Sequence, residues 1–290
     1  MRDGRFSHFL AIDWSGAVGQ FHRSIAVALA NVDGGAPVLV RRDKGWSRAE
    51  VLALLRDDLP PDTLVGLDLG ISLPFADRGA FFPGWDESPA NAPALWQLID
   101  DICAGDEHFA ATSFVDHGHA SAHFRRHGGR EGAHFGGGRG RFRLTELAQA
   151  QQGCKPYSNF NLVGAAQVGK SSLTGMRMLH RLRGTLPVWP VDPLPPSGSV
   201  VVEIYTTIAA VAAGRSAGRS KMRSVEDLNT ALAVLGSPPV VGAGALDDHS
   251  ADALITAAWL REHARRQELW APAGLTPQIA RTEGWTFGAT

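Results

Sequence analysis

The acidic residues Asp13 and Asp68 each stand at or near the end of an apolar run, in Phe9-Leu-Ala-Ile-Asp-Trp-Ser-Gly16 and in Gly66-Leu-Asp-Leu-Gly-Ile-Ser-Leu-Pro74. Burying a carboxylate on a strand costs several kcal/mol unless something compensates it. Glu203 interrupts Ser199-Val-Val-Val-Glu-Ile-Tyr205 in the same manner. A fourth acidic element, Leu246-Asp-Asp-His-Ser-Ala-Asp-Ala-Leu254, reads as the start of a helix. There Asp248 and Asp252 (i, i+4) and His249 and Asp252 (i, i+3) share a face. Several such groups in one domain invite a shared partner, and a divalent cation is the simplest. Hydrolysis of a phosphodiester needs an activated water and a stabilised leaving oxygen, and two hard cations about 3.5–4 Å apart, held by carboxylates, supply both. Oxygen donors of this kind suit Mg2+ or Mn2+ and not thiophilic metals. Each residue also has a plainer use: Asp13 can cap the turn beside Ser15, Asp248 can cap the last long helix, and Glu203 can pair with an arginine.

Holding these groups together requires a sheet. The run ending at Asp13 is a first strand, with Ser24–Asn31 and Ala36–Arg42 as the second and third. Val32-Asp-Gly-Gly35 carries a hairpin signal, so the three strands read as an antiparallel meander. Trp46–Leu59 reads as a helix, with Ser47 and Glu50 as a capping box, Val51, Leu54, Leu55 and Leu59 at helical spacing, and Pro60-Pro61 as the stop. Thr63–Ile71 is apolar throughout, as a central, doubly covered strand should be. A fifth strand, Ser199–Tyr205, and a helix, Ser250–Arg265, follow much later. Three strands, a helix, a strand, then a strand and a helix is the element order of a ribonuclease H-like domain. The predicted fold is therefore α/β: one domain over residues 1–290, a five-stranded mixed sheet flanked by helices, and a large, partly helical insertion at 75–197. Within the insertion, 106–143 is rich in His, Gly and Arg and predicts a mobile loop or lid. Helical periodicity resumes over Leu144–Gln151 and Ser172–Leu182, and the prolines from Pro187 to Pro196 read as a stiff connector.

Five segments in order, Phe9–Gly16, Gly66–Pro74, Val202–Tyr205, Asp247–Leu254 and the closing Glu283-Gly-Trp-Thr-Phe-Gly288, resemble the domain of unknown function 429 family. Its members are regarded as predicted nucleases of ribonuclease H-like fold related to Holliday-junction resolvases. The resemblance implies Asp13, Asp68 and Asp252 as metal ligands, with Asp248 or His249 completing the site and Glu203 beside it. His249 would act as a ligand or a proton shuttle. The family often follows its glutamate strand with a proline, where this chain has Thr206.

A second phosphate-binding pattern competes with this reading. Gly164-Ala-Ala-Gln-Val-Gly-Lys-Ser171 satisfies the P-loop pattern, after the apolar Phe160–Val163 and before a helical stretch. Lys170 would then reach phosphate oxygens and Ser171 would hold magnesium. The alternative functions are accordingly a P-loop-like nucleotide hydrolase and a catalytically idle nucleic-acid-binding module. No Walker-B aspartate stands in a suitable strand downstream, so Lys170 and Ser171 are expected to contact substrate phosphate instead. Arg139, Arg141 and Arg143, within a patch that also holds Arg125, Arg126 and Arg130, are expected to join them. Phe124, Phe135 and Phe142 would stack on bases. His119, His123 and His127, spaced by four, offer a possible zinc face.

Composition bounds the rest. The chain has 44% hydrophobic and 20% charged residues, enough to build a core and too apolar for wholesale disorder. Its net charge is −1, so nucleic acid must be met by a local patch. Two isolated cysteines exclude a disulfide framework and fit a reducing compartment. With no signal-like start and no long apolar run, a cytoplasmic location without membrane contact is expected.

Overall fold

Alternation along β1 (His8–Asp13) sends Leu10 and Ile12 to one side of the sheet and Phe9 and Ala11 to the other, all of them buried. In the computed structural model, which describes residues 4–164 and 167–290, β2 (Ala26–Asn31) pairs antiparallel with β1, and β3 (Val38–Leu39) pairs antiparallel with β2. Helix α1 (Arg48–Asp57) opens on the expected capping box: the Ser47 amide donates to Glu50 at 2.7 Å, and the Glu50 amide donates to the Ser47 hydroxyl at 3.1 Å. It delivers the chain to β4 (Thr63–Asp68), which lies parallel to β1.

The chain then runs through α2 (Ala92–Ile102), α3 (Thr112–Asp116), a small hairpin of β5 (Arg125–Arg126) and β6 (Arg130–Glu131), α4 (Leu144–Gln151) and α5 (Val168–Leu182). Strands β7 (Val188–Trp189) and β8 (Val200–Glu203) follow, then α6 (Thr206–Ala212), α7 (Val225–Val234), α8 (Asp248–His263) and α9 (Pro277–Thr282). The main sheet has the order β3-β2-β1-β4-β8-β7. It is mixed, as expected, but six-stranded where five strands were predicted. The extra strand is β7, inside the proline-rich stretch read as a connector. Val188 and Trp189 are buried beside Val201 and Val202, and an edge strand tolerates the following proline.

Two apolar layers cover the sheet. One gathers Leu10, Ile12, Val65, Leu67 and Val201 under side chains of α1, α2 and α5; the other gathers Phe9, Ala11, Leu64 and Val202 under α6, α7 and α8. Helix α8 packs on β1 and β2, and its small residues Ala251, Ala253, Ala257 and Ala258 permit the close approach. The 106–143 segment, predicted as a mobile lid, instead sends Phe114, Phe124 and Phe135 fully into the first layer. Phe124 and Phe135 are therefore not presented to bases.

Arg141 and Arg143 are corrected for the same reason: both are interior. Arg141 forks onto Asp77 at 2.6 and 2.7 Å and donates to the carbonyls of Pro74, Ala80 and Phe81. Arg143, 1% exposed, donates to Glu203 at 2.6 and 2.8 Å and to Glu146 at 2.5 and 3.0 Å. The same Glu203 accepts from the Ile71 amide at 2.8 Å and the Thr286 hydroxyl at 2.5 Å. Burial pushes the Glu146 carboxyl up to about 7 against the pull of Arg143. Glu283 is likewise buried and accepts from the amides of Phe75, Ala76 and Leu144, which gives the closing motif a structural task.

Breaking a buried pair leaves an uncompensated charge, at a cost of about 3–5 kcal/mol. Arg143→Met should lower the unfolding free energy in urea by about that much. The exposed Arg139→Ala should stay within about 0.5 kcal/mol of the parent.

Candidate functional site

Parallel pairing sets Asp13 directly opposite Asp68 at the C-terminal ends of β1 and β4. Register partners on adjacent strands point to the same face, here the face covered by α8, which supplies Asp252 (3% exposed). Helix α8 begins at Asp248, not Ser250, and its cap is Asp247, whose carboxylate accepts from the Ser250 amide at 2.9 Å. His249 consequently sits in the first turn, with Nδ1 2.8 Å from the Asp13 carboxylate. Asp248 is directed toward Arg223, at 3.6 Å.

Glu203 is not part of this group. It is opposite Leu67, one residue before Asp68, and a strand's period of two puts it on the other face, in the Arg143 network. The sequence reading grouped it with the catalytic acids; its carboxylate is bonded to Arg143 on the other face of the sheet, although it borders the same cavity as Asp68 and His249.

Lys221, which the sequence reading overlooked, is the cation of the site. Its ammonium pairs with Asp252. Burial works against its charge, but Asp252, Asp13 and Asp68 together raise its pKa. Burial also raises the carboxyl of Asp68, which is further raised by repulsion from Asp13 and Asp252. Asp13 is raised by burial and relieved in part by His249, and Asp252 is pushed up to about 6 by burial against the pull of Lys221. The hydrogen bond to Asp13 in turn raises the His249 imidazole. Asp68 has no ion pair among the described residues; its side chain accepts from the Thr206 hydroxyl at 3.4 Å. The three aspartates thus share one ammonium and one imidazole, and negative charge is in excess. Among the described residues no group of three or more His, Cys, Asp or Glu side chains is drawn close enough to hold a metal ion. Instead the Lys221 ammonium stands beside the oxygen donors as a resident cation.

A cavity of about 470 Å³ opens beside these groups, lined among others by Asp68, His249, Tyr157, Tyr205, Lys170 and Ser171. The turn after β1 is fastened to the first turn of α5. Trp14 donates from its ring to the Thr174 hydroxyl at 3.0 Å, and a Cβ on Gly16 would fall 2.4 Å from the backbone of Lys170 and Ser171. Arg48 holds the same turn, donating to the Ser15 carbonyl at 2.8 and 3.1 Å. That close packing accounts for the glycine in Asp13-Trp-Ser-Gly16.

Lys170 and Ser171, expected to contact substrate phosphate, both line the cavity. The P-loop pattern itself lacks its context. Phe160–Val163 adds no strand to the main sheet, and the Gly169 and Lys170 amides donate within the chain, to Asn161 at 3.1 Å and Gln167 at 3.0 Å. Ala165 and Ala166 of the pattern lie outside the described residues. Arg139 is exposed on the rim, over the rings of Phe142 and Tyr157 and donating to the Pro156 carbonyl. The spaced histidines form no helical face: His119 stacks on Trp85, and His123 is buried against Phe82 and Phe160. No family model, curated protein or solved structure matches the chain. Among the described residues no helix is long and apolar enough to cross a membrane.

The Asp68 carboxyl binds its proton more tightly in the folded chain than in the unfolded one. Its charge therefore costs stability above the raised pKa and costs nothing once pH falls below the unfolded value of about 3.9. In EDTA at pH 8, Asp68→Asn should melt higher than the parent by a few degrees, and the gain should vanish by about pH 4. A lower melting temperature at pH 8 would contradict the buried-charge account.

Proposed function

We propose that the chain is a divalent-metal-dependent nuclease of ribonuclease H-like fold that hydrolyses phosphodiester bonds. The reading rests on one observation: Asp13 and Asp68 in register on adjacent parallel strands, faced by Asp252, three carboxyl groups beside the one ammonium of Lys221 and the one imidazole of His249. The strand order β3-β2-β1-β4-β8, with β2 alone antiparallel to its two neighbours, is in keeping with the fold assignment, as is the resemblance carried by the five sequence segments. The donor atoms, all oxygen and partly buried, are of the type that Mg2+ or Mn2+ takes, and because no three of them are drawn together around one point among the described residues, an ion would have to draw them inward on binding. Asp13, Asp68 and Asp252 would hold the ion, joined by Asp248 once that side chain leaves Arg223, and Lys221 would give up Asp252. When bound, the ion supplies Lewis acidity and an activated water.

The protein's own groups have separate tasks. Asp13 fixes one ring nitrogen of His249, so its Nε2 faces the cavity and is placed to carry a proton to or from the reacting oxygen. Lys170 and Ser171, which line the same cavity as His249, would orient a phosphate by charge and hydrogen bonding. Arg139 on the rim, sandwiched by Phe142 and Tyr157, would contact the strand outside the cavity.

The decisive test is a panel of single-stranded, duplex and branched nucleic acids with Mg2+ or Mn2+. The parent should cleave at least one substrate. Asp13→Asn and Asp252→Asn should each abolish cleavage while keeping a folded circular dichroism spectrum. Mn2+ should raise the melting temperature of the parent and not that of Asp68→Asn. Stabilisation by Mn2+ without any cleavage would identify an idle binding module instead, and cleavage unaffected by both substitutions would refute the assignment of the site.

A further inference from the structure

The arginine patch that the sequence places at 125–143 is largely internal or neutralised. Arg125 pairs with Glu131 at 3.5 Å and Arg126 with Asp116 at 2.9 Å, while Arg141 and Arg143 are buried. A further group of exposed guanidiniums lies elsewhere. Arg23, Arg41 and Arg42, all exposed, line a second cavity of about 670 Å³ between the β2–β3 edge and the start of α8. None of the three is in an ion pair among the described residues. Arg42 is laid over the Trp46 ring at 4.7 Å, which fixes its fork without using its donors. Lys44, exposed just beyond the cavity, covers the 41% exposed Phe21. Two carboxylates share the lining: Asp43, which is exposed, and Asp247, which is committed to capping α8.

His249 lines this cavity and the first one alike. The acidic centre is therefore flanked on one side by Lys170 and on the other by three arginines. A mononucleotide carries its phosphates at one end and would use one of the two flanks. A polymer with a charge at every residue uses both, with the bond between them held over the acids. Guanidiniums are suited to such phosphates because they donate in a planar fork.

Resting on the nuclease reading, we propose that the Arg23–Arg41–Arg42 cavity is a backbone-phosphate site that holds a polynucleotide strand on the far side of His249 from Lys170. The test is fluorescence anisotropy in EDTA, where no metal-dependent cleavage intervenes, with a fluorescein-labelled single-stranded oligothymidylate over a range of salt. Arg41→Ala/Arg42→Ala should weaken binding about tenfold at low salt. It should also reduce the slope of log affinity against log salt by about 1.4, the release expected for two single-strand phosphate contacts. Arg41→Lys/Arg42→Lys should keep most of the slope, and thymidine monophosphate should bind parent and alanine variant equally.

Unchanged oligonucleotide affinity and slope in the alanine variant overturn the proposal. Equal losses for the oligonucleotide and the monophosphate also overturn it, in favour of a mononucleotide site. If the slope is unchanged while Asp13→Asn still abolishes cleavage, the strand site alone is wrong. If the slope falls as stated but no metal-dependent cleavage is found, the strand site stands and the nuclease reading is the one that fails.

Discussion

Two carboxylates held side by side on neighbouring parallel strands repel each other, and the sheet leaves them no room to part. The register of β1 with β4 runs from His8 opposite Thr63 to Asp13 opposite Asp68, so moving either acid would mean sliding a strand. A slip of one residue would turn every apolar side chain of that strand to the wrong layer. The core therefore enforces the repulsion, and the groups around the two acids answer it. His249 donates to Asp13, Lys221 draws on Asp252 with Asp13 and Asp68 in range, and the Thr206 hydroxyl reaches Asp68. Buried like charges of this kind are a liability for folding, and sites that shift pKa by burial and like-charge contact are characteristic of function.

The same pleat that joins Asp13 to Asp68 parts them from Glu203. Two acid clusters result, back to back across the sheet, with opposite solutions to the same electrostatic problem. Glu203 is matched on the spot by a two-pronged arginine, a hydroxyl and an amide, so its charge is fully bonded and fixed. On the α8 side the match is incomplete, and the cation there comes from a half-exposed lysine side chain. A guanidinium bonded to two buried carboxylates is a structural clamp. An ammonium on a flexible, half-exposed stem, paired with one acid out of three, is held by fewer bonds, and in the proposed function it is the cation that a metal ion would replace. The difference between permanent and replaceable neutralisation is what separates the framework from the candidate site.

Much of this was legible in the sequence. An aspartate ending an apolar strand is conspicuous, and so is an acidic helix start, because both break a pattern that burial otherwise enforces. That made Asp13, Asp68, His249 and Asp252 readable singly and as a set. The strands and α1 were readable to within a few residues from alternation and from the Ser47–Glu50 box. The face of Glu203 was not, since it depends on how β8 aligns with β4 across more than a hundred intervening residues. β7 was hidden by the prolines around it, and only the neighbouring β8 makes two residues a strand. Lys221 sits among other basic residues in a loop with no periodicity, so nothing local distinguishes the cation that pairs with Asp252. The arginines of 125–143 misled for a related reason: glycine-rich composition suggested an exposed loop, whereas Phe114, Phe124 and Phe135 anchor it.

Formal net charge illustrates how composition conceals arrangement. The sum of −1 argues against a polyanion partner only if charge is spread evenly. Among the described residues, six carboxylates are buried, namely Asp13, Asp100, Glu146, Glu203, Asp252 and Glu283, against the four guanidiniums of Arg48, Arg141, Arg143 and Arg177. The interior thus holds the surplus of negative charge, and the surface is correspondingly more positive than the total. On that surface Arg23, Arg41 and Arg42 line the cavity that shares His249 with the acidic centre, and none of them is in an ion pair among the described residues. A phosphate chain approaching the molecule meets this local field, which decays within about 8 Å at physiological salt, and not the sum over the sequence. The acids would repel such a chain if they stood alone. On the proposed reading, cations on both sides of His249 would offset that repulsion, and the placement of the arginines and the density of the aspartates would be two parts of one electrostatic arrangement.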